Sequence, residues 1–398
     1  MTLAMEGGTD AAESTAARPE AAARQDVALT SLSIRDFRNL ARLELRLPAR
    51  GVALVGLNGQ GKTNLLEAVH YLHALRSVRG ARDADLVRFG SEAFHITATV
   101  SGAAVDEMRV GFARGLRRKK VVLDGAECER VADALGAVPS VMFSPQDVEL
   151  VSGAPTERRR YLDIALATTS RRYLTALQQY RAALARRNAS LRDAARRGSD
   201  ATRVAVWEPA LADAGAILWC ERVRWTRWAV APFSRIVAEI GEREPVTLAY
   251  HSALDAHADG EPVEGAVREQ LAAAFERDRA QDLRRLVTHS GPHRDDLTIR
   301  IGGRPLRTFG SAGQQRTSAI ALRLLERATL QERTARSPII LLDDPFAELD
   351  PERSRRILEM LAHGAVGQTI LVVPRADDVP HAYTSLERHH IADGVLDA

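Results

Sequence analysis

The sequence predicts an α/β fold, a sheet-based head of two lobes interrupted by an antiparallel helical arm. Three observations lead there. The wholly apolar run Val52–Val55 passes directly into a glycine-rich loop and then a helical pattern. A second apolar run, Ile339–Leu342, ends in the adjacent acids Asp343 and Asp344. The interval between loop and acids is longer than one compact sheet domain requires, and it contains an arginine-rich helical stretch.

Length and composition set the frame. The 398 residues leave room for two or three structural units, and 45% hydrophobic with 27% charged residues is ordinary globular composition. No run approaches the ~18–20 apolar residues that spanning a bilayer needs. No basic segment followed by an apolar core opens the chain, so a cytoplasmic protein without membrane partners is expected. Cys128 and Cys220 stand far apart without metal-ligand spacing and read as reduced thiols. The net charge of +3 decides little; its distribution matters more.

Residues 1–26 are rich in Ala, Glu, Gly and Thr and cannot bury enough apolar surface to offset chain entropy, so a disordered tail is expected there. Order is expected from Val27. Leu32–Phe37 and Leu43–Leu47 alternate as half-buried strands, the second closed by Pro48. Val52–Val55 is apolar on both faces, as in a sheet covered on both sides.

The loop Gly56-Leu57-Asn58-Gly59-Gln60-Gly61-Lys62-Thr63 has a lysine and a hydroxyl after its last glycine, the pattern of a phosphate loop. Glycines let the backbone curl with its N–H groups inward, making a nest for phosphate oxygens. Lys62 can reach the β- and γ-phosphates of ATP, and the Thr63 hydroxyl can ligate Mg²⁺. The helix that follows, read from Asn64 to Leu72, adds its N-terminal dipole. Asp343 then serves as a Mg²⁺ ligand, and Asp344 orients or deprotonates the attacking water. Residues 345–350 continue as an acidic turn.

Ser311-Ala312-Gly313-Gln314-Gln315 precedes a helix read from about Arg316 to Leu330. By itself it is a serine-capped helix. Placed upstream of the acidic strand, it sits where an ABC signature motif belongs, with a helix N-terminus ready for an anion. The class is therefore an ABC/SMC-type ATPase head.

Within the interval, Glu157–Arg203 holds twelve arginines, no lysine and four acids. Tyr173, Leu177, Tyr180, Leu184 and Leu191 recur as a coiled-coil seam, and Trp207, Leu211, Ala214, Leu218, Trp225 and Trp228 form a second helical pattern. A polar break at Arg196–Asp200 separates them, so an arm of two antiparallel helices is expected. Arginines off the seam suit DNA phosphates or an acidic partner; a solvated helix face is the alternative. Arg117-Arg118-Lys119-Lys120 is a second basic cluster, or the solvated turn of a hairpin.

Several segments resemble the RecF family: Ile34–Asn39, Gly59–Ala68, Phe143–Asp147, Arg158–Asp163, Gly291–Leu297 and Gly313–Arg316. The likeness spans roughly Leu29 to Leu396, and Gly291-Pro292-His293-Arg294-Asp295-Asp296 is its family-specific part. It implies an ATPase head that dimerises on ATP, binds DNA at gaps, and works with RecR- and RecO-type mediators to load a recombinase and support the SOS response. It also implies that Gln146 senses Mg²⁺ and that Arg38 and Asn39 lie near the nucleotide. Arg294, Asp295 and Asp296 read best as a structural salt-bridge cluster where the arm rejoins the head. Expected units are a tail (1–26), a head lobe (27–150), an arm (151–285) and the rest of the head (286–398).

The chain departs from its class in three places. Asp344 replaces the glutamate of transporter-type ATPases, Val373-Pro374-Arg375 offers no switch histidine, and Phe309-Gly310 precedes the signature serine. Slow, DNA-dependent ATP hydrolysis is therefore expected. The competing reading is the ATPase subunit of a membrane transporter.

Overall fold

The computed structural model describes residues 25–197, 202–254, 260–344, 349–362 and 367–396. The acidic turn at 345–348, most of the polar break at 196–200, and residues 1–24 of the expected tail lie outside them. Gln25 and Asp26, expected in that tail, instead pair in parallel with Arg336 and Ser337. This pairing is made by backbone groups, which side-chain composition does not report.

Two sheets form the head. The central one is parallel, ordered Glu387–Ala392, Gly51–Val55, Thr369–Val373, Ile339–Asp343 and Ser140–Phe143, with Val395–Leu396 folded antiparallel on its edge. Phosphate loop and acid pair therefore emerge at the same end of strands separated only by Thr369–Val373. The second sheet is antiparallel, built from Leu40–Arg46, Ala28–Phe37, Ala93–Ser101, Glu107–Ala113, Arg118–Leu123 and Ala126–Glu127. The central strands are apolar throughout because each feeds two cores. Val52, Leu54, Ile339 and Leu341 face the antiparallel sheet and the Lys62–Ala74 helix. Their neighbours Ala53, Val55, Ile340 and Leu342 face the helical side.

The arm has three long helices rather than two: Arg171–Arg197 and Glu208–Ile240 pack together, and Glu264–Arg285 packs across both. Tyr173, Leu177, Tyr180 and Leu191 of the expected seam are buried, with Leu184 packed at its margin. The Glu208–Ile240 helix continues into the head, where the Trp225 indole donates to Thr329 on the Ala312–Thr334 helix (3.0 Å). A small sheet, Val246–His251 with Asp296–Ile301 and Arg304–Pro305, closes the return.

The arginine run is mostly structural, which narrows its expected phosphate-binding role. Arg187 is completely buried and bonded to Asp282 (2.6 Å), Glu208 (2.9 Å) and Thr288 (2.9 Å). Arg158 grips Asp296 through two 2.8 Å bonds, Arg181 meets Asp163 (2.8 Å), and Arg159 donates to the Asp295 carbonyl (2.8 Å). Arg192, Arg196 and Arg203, beside the arm's tip, are exposed and make no hydrogen bond or ion pair among the described residues. Three of the four residues in the other basic cluster are likewise paired. Lys119 pairs with Asp83 (3.0 Å) and sits over the Tyr71 ring, while Arg118 and Lys120 both meet Glu127.

Of the salt-bridge cluster expected in the family-specific segment, only Asp296 is ion-paired among the described residues, and Arg294 and Asp295 are held by hydrogen bonds to neutral groups. Besides the Arg158–Asp296 fork, Asp295 accepts from the Tyr250 hydroxyl (2.6 Å) and Arg294 donates to the Thr288 carbonyl (3.1 Å).

Candidate nucleotide site

The phosphate loop is shaped by glycines in positions that penalise other residues. Gly59 and Gly61 have φ of +84° and +103°, a region that penalises L side chains. A Cβ on Gly56 would stand 2.4 Å from the Ile391 carbonyl oxygen, and one on Gly61 would stand 2.9 Å from the Asn39 amide. Lys62 folds back over the loop, donating to the carbonyls of Gly56 and Leu57. Burial lowers its pKa, opposed by the charges of Asp343 and Asp344. The Thr63 hydroxyl donates to the Asp343 carboxylate at 3.0 Å. This brings together two of the three residues expected to hold Mg²⁺, Thr63 and Asp343 but not Gln146, and their oxygens suit a hard cation.

A cleft of about 330 Å³ opens over this pair, lined by Asn58, Gly59, Gly61, Lys62, Thr63 and the two acids, among others. Burial raises the pKa of both Asp343 and Asp344, and Asp378 adds to the rise at Asp344. Asp344 holds a left-handed φ of +44°, which aspartate tolerates. Pro374 lines the cleft while Arg375 is exposed, its amide N–H bonded to Asp378 (3.0 Å). The switch position thus offers Pro374 and Arg375 rather than a histidine, and Asp378 in the turn that follows acts on Asp344 through its charge.

Other expected residues are placed less directly. Gln60 turns away, its amide oxygen accepting the Asp393 N–H and its carbonyl the Gly394 N–H (2.9 Å). The Leu57 side chain is exposed. Asn39 touches Gly61 and bonds to Asn64 (2.7 Å), so it borders the loop. Arg38 instead grips Glu67 on the loop's helix (3.1 and 3.2 Å). Gln146 is exposed on the turn after Ser140–Phe143 and is not among the residues lining the cleft. Its neighbour Asp147 is buried and paired with Arg323 of the Ala312–Thr334 helix (2.7 Å), joining this turn to the signature helix.

Sequence reasoning missed Arg79 as well. It lines the cleft and donates to Asn64 and to Glu67, which also receives Arg38 and Ser77. No motif marks it; a buried glutamate on the helix one turn past Thr63, needing cations, was the only hint.

Ser311, Gly313 and Gln314 form a well-defined helix start away from that cleft. The Ser311 hydroxyl accepts the Gln314 N–H (3.2 Å), and the Gln314 side-chain oxygen accepts the Ser311 N–H (2.9 Å). Gln315 braces the loop through the Arg307 and Gly310 carbonyls (both 3.2 Å). Ser311 and Gln314 line a separate hollow of about 640 Å³, distinct from the cleft over Lys62 and Thr63.

The chain resembles known proteins over most of its length. The family profile described as RecF/RecN/SMC N terminal domain matches residues 28–388. A protein from Roseiflexus castenholzii, named DNA replication and repair protein RecF, is 34% identical over 92% of this chain and 99% of its own length. A Streptomyces avermitilis protein of the same name is 35% identical over 93% and 99%. Among solved structures, "Structure of the recombination mediator protein RecF-ATP in RecFOR pathway" aligns with a TM-score of 0.85 at 31% identity, covering 94% of this chain and 98% of the other. An Smc head domain from Pyrococcus furiosus shares the fold at a TM-score of 0.51 and 16% identity.

Proposed function

Because the chain belongs to the RecF family of DNA replication and repair proteins, we propose that it is an ATP-gated DNA clamp of recombinational gap repair. One observation carries the proposal: the phosphate cleft around Lys62 and the signature start at Ser311 lie on one chain but open into different spaces. A second copy is needed to bring a signature start to a bound γ-phosphate.

ATP binds with its phosphates in the nest of Gly59–Thr63, and Lys62 exchanges its own loop carbonyls for phosphate oxygens. Thr63 and Asp343 hold Mg²⁺, which when bound neutralises charge developing on the phosphates. Asp344 orients the attacking water and accepts its proton as the water oxygen bonds to the γ-phosphorus and ADP leaves. The Ser311 helix start of the second subunit closes the cleft by meeting the γ-phosphate. Gln146, on the turn that Asp147 ties to Arg323 of the signature helix, would add a side-chain oxygen to the metal's ligands. Loss of the γ-phosphate removes the bridge and reopens the dimer. Turnover is slow, since the switch position supplies no histidine. Closed on gapped or single-stranded DNA, the dimer works with RecO- and RecR-type partners to load the recombinase and support the SOS response. The competing reading, a transporter ATPase subunit, finds no support in relatives that match nearly end to end and are named for DNA replication and repair.

Sedimentation with and without ATP·Mg²⁺ tests the gate. A dimer is expected only with ATP, and it should vanish in Lys62→Ala and in Ser311→Arg. A monomer under every condition, or an equally stable dimer without nucleotide, overturns the scheme. DNA contact is assigned to the arm's tip. Replacing Arg192, Arg196 and Arg203 by alanine should flatten the log–log salt dependence of DNA binding by about 0.7–0.9 per arginine that touches a phosphate. An unchanged slope would place the DNA elsewhere.

A further inference from the structure

The signature start does not stand alone; it is held by the end of the arm. The Glu208–Ile240 helix terminates at Gly241, whose φ of +115° turns the chain so that Glu242 folds toward the hollow beside Ser311. The Glu242 side chain is only 6% exposed. One of its oxygens receives the Gln314 side-chain N–H (3.4 Å) and the backbone N–H groups of Arg243 (3.0 Å) and Glu244 (3.2 Å). The other has no hydrogen-bond partner and faces the Arg353 guanidinium at 3.6 Å. Arg353 in turn donates to Thr317 on the signature helix (2.9 Å), pairs with Asp350 (3.2 Å), and lies 3.4 Å from where a Cβ on Gly313 would stand.

The chemistry of these contacts is directional. An amide such as Gln314 has a donor end and an acceptor end, and a carboxylate can only accept. The Ser311 N–H, which can only donate, and Glu242, which can only accept, together fix the Gln314 amide with its oxygen on the helix cap and its NH₂ toward the arm. Gly241 allows the turn that brings Glu242 here, since its φ of +115° is one that L side chains rarely adopt. We infer that Glu242 is a positioning residue of the signature half-site: it ties the Gln314 amide to the end of the arm helix, so that the arm's placement sets how the Ser311 start is presented to the second subunit's nucleotide. This role presupposes the composite site proposed above.

Glu242 touches neither phosphate nor metal, so its variants should leave the Lys62 half-site intact. The test compares wild type, Glu242→Ala, Glu242→Gln, Gln314→Met and Glu242→Ala/Gln314→Met. It measures three things: affinity of the monomer for a fluorescent ATP analogue, thermal midpoint, and the ATP-dependent monomer–dimer dissociation constant. Glu242→Ala should weaken the dimer by about tenfold, the equivalent of one hydrogen bond to a charged group. Nucleotide affinity should stay within twofold. Glu242→Gln, which keeps an acceptor oxygen, should recover most of the loss. Gln314→Met, which leaves the arm untouched, should weaken the dimer as much, and the double variant no further. A dimer constant unchanged in Glu242→Ala, or additive losses in the double variant, overturns the assignment. So does a lowered thermal midpoint with dimerisation intact, which would make Glu242 only a cap for the arm helix. Failure of wild type itself to dimerise on ATP counts against the composite site instead, and Ser311→Arg is the control that separates the cases.

Discussion

Asp344→Asn should lower the rate of phosphate release by at least about 100-fold, the scale on which a positioned general base acts, while the ATP-bound dimer outlives that of wild type. The substitution isolates the proton transfer. Asparagine keeps the shape and tolerates the left-handed φ of +44° at this position, so the backbone has no reason to move. It still orients water but cannot take the proton, and the γ-phosphate that bridges the two half-sites persists. Quenched-flow phosphate release paired with sedimentation reads both effects. Loss of hydrolysis together with loss of the dimer would show that Asp344 holds the loop rather than the water.

The pH dependence follows from the same surroundings. Burial raises the Asp344 pKa, Asp378 raises it further, and Lys62 and Arg316 oppose the change. A base with a raised pKa is protonated, and therefore idle, at pH values where an ordinary aspartate is already charged. The acid limb of the hydrolysis rate should thus lie above the usual carboxylate range, with the rate falling as pH drops through it. Asp378→Asn removes one of the raising charges, so this limb should move to lower pH. A limb that stays in place would exclude Asp378 from the site's electrostatics.

How far the sequence could be read depends on how local each feature is. The phosphate loop, its strand and its helix are contiguous, and each glycine has a steric reason visible in the fold. The acid pair was legible because an apolar run ending in two carboxylates is itself a local pattern. Ser311 and Gln314 were legible as a capping box three residues apart. Features that depend on distant partners were not. Asp147 acquires its meaning from Arg323. Arg79 gains its place from Glu67 across a loop. The arginine run misled for the same reason: its charge was countable, but the carboxylates that absorb it, Asp282, Glu208 and Asp296 among them, arrive from other helices and strands. A count of charges does not distinguish a guanidinium facing water from one with no exposed surface at all.

That burial has a measurable consequence at the junction of arm and head. Asp163 receives the Tyr173 hydroxyl (2.7 Å), Arg181 (2.8 Å) and the almost fully buried Arg222 (2.7 Å), and Arg222 also donates to the Pro292 carbonyl (2.7 Å). Asp163→Ala should therefore destabilise the protein by about 3–5 kcal/mol, because it strands a buried guanidinium rather than merely deleting one bond. Replacing Asp163 and Arg222 together by apolar residues of similar size should cost much less, since no charge is then left uncompensated. Denaturant unfolding of the two variants checks the difference, and equal losses would show that packing, not charge, dominates the junction. Acid should reveal the same pairing. Burial alone would raise the Asp163 pKa, but Arg222, Arg181 and Tyr173 outweigh it and hold it below the ordinary aspartate value. A depressed folded pKa means that the stabilisation is present above the unfolded value and is lost as pH falls through the folded one. The wild-type advantage over Asp163→Ala should thus persist at neutral pH and shrink only as the solution is taken below the ordinary aspartate range.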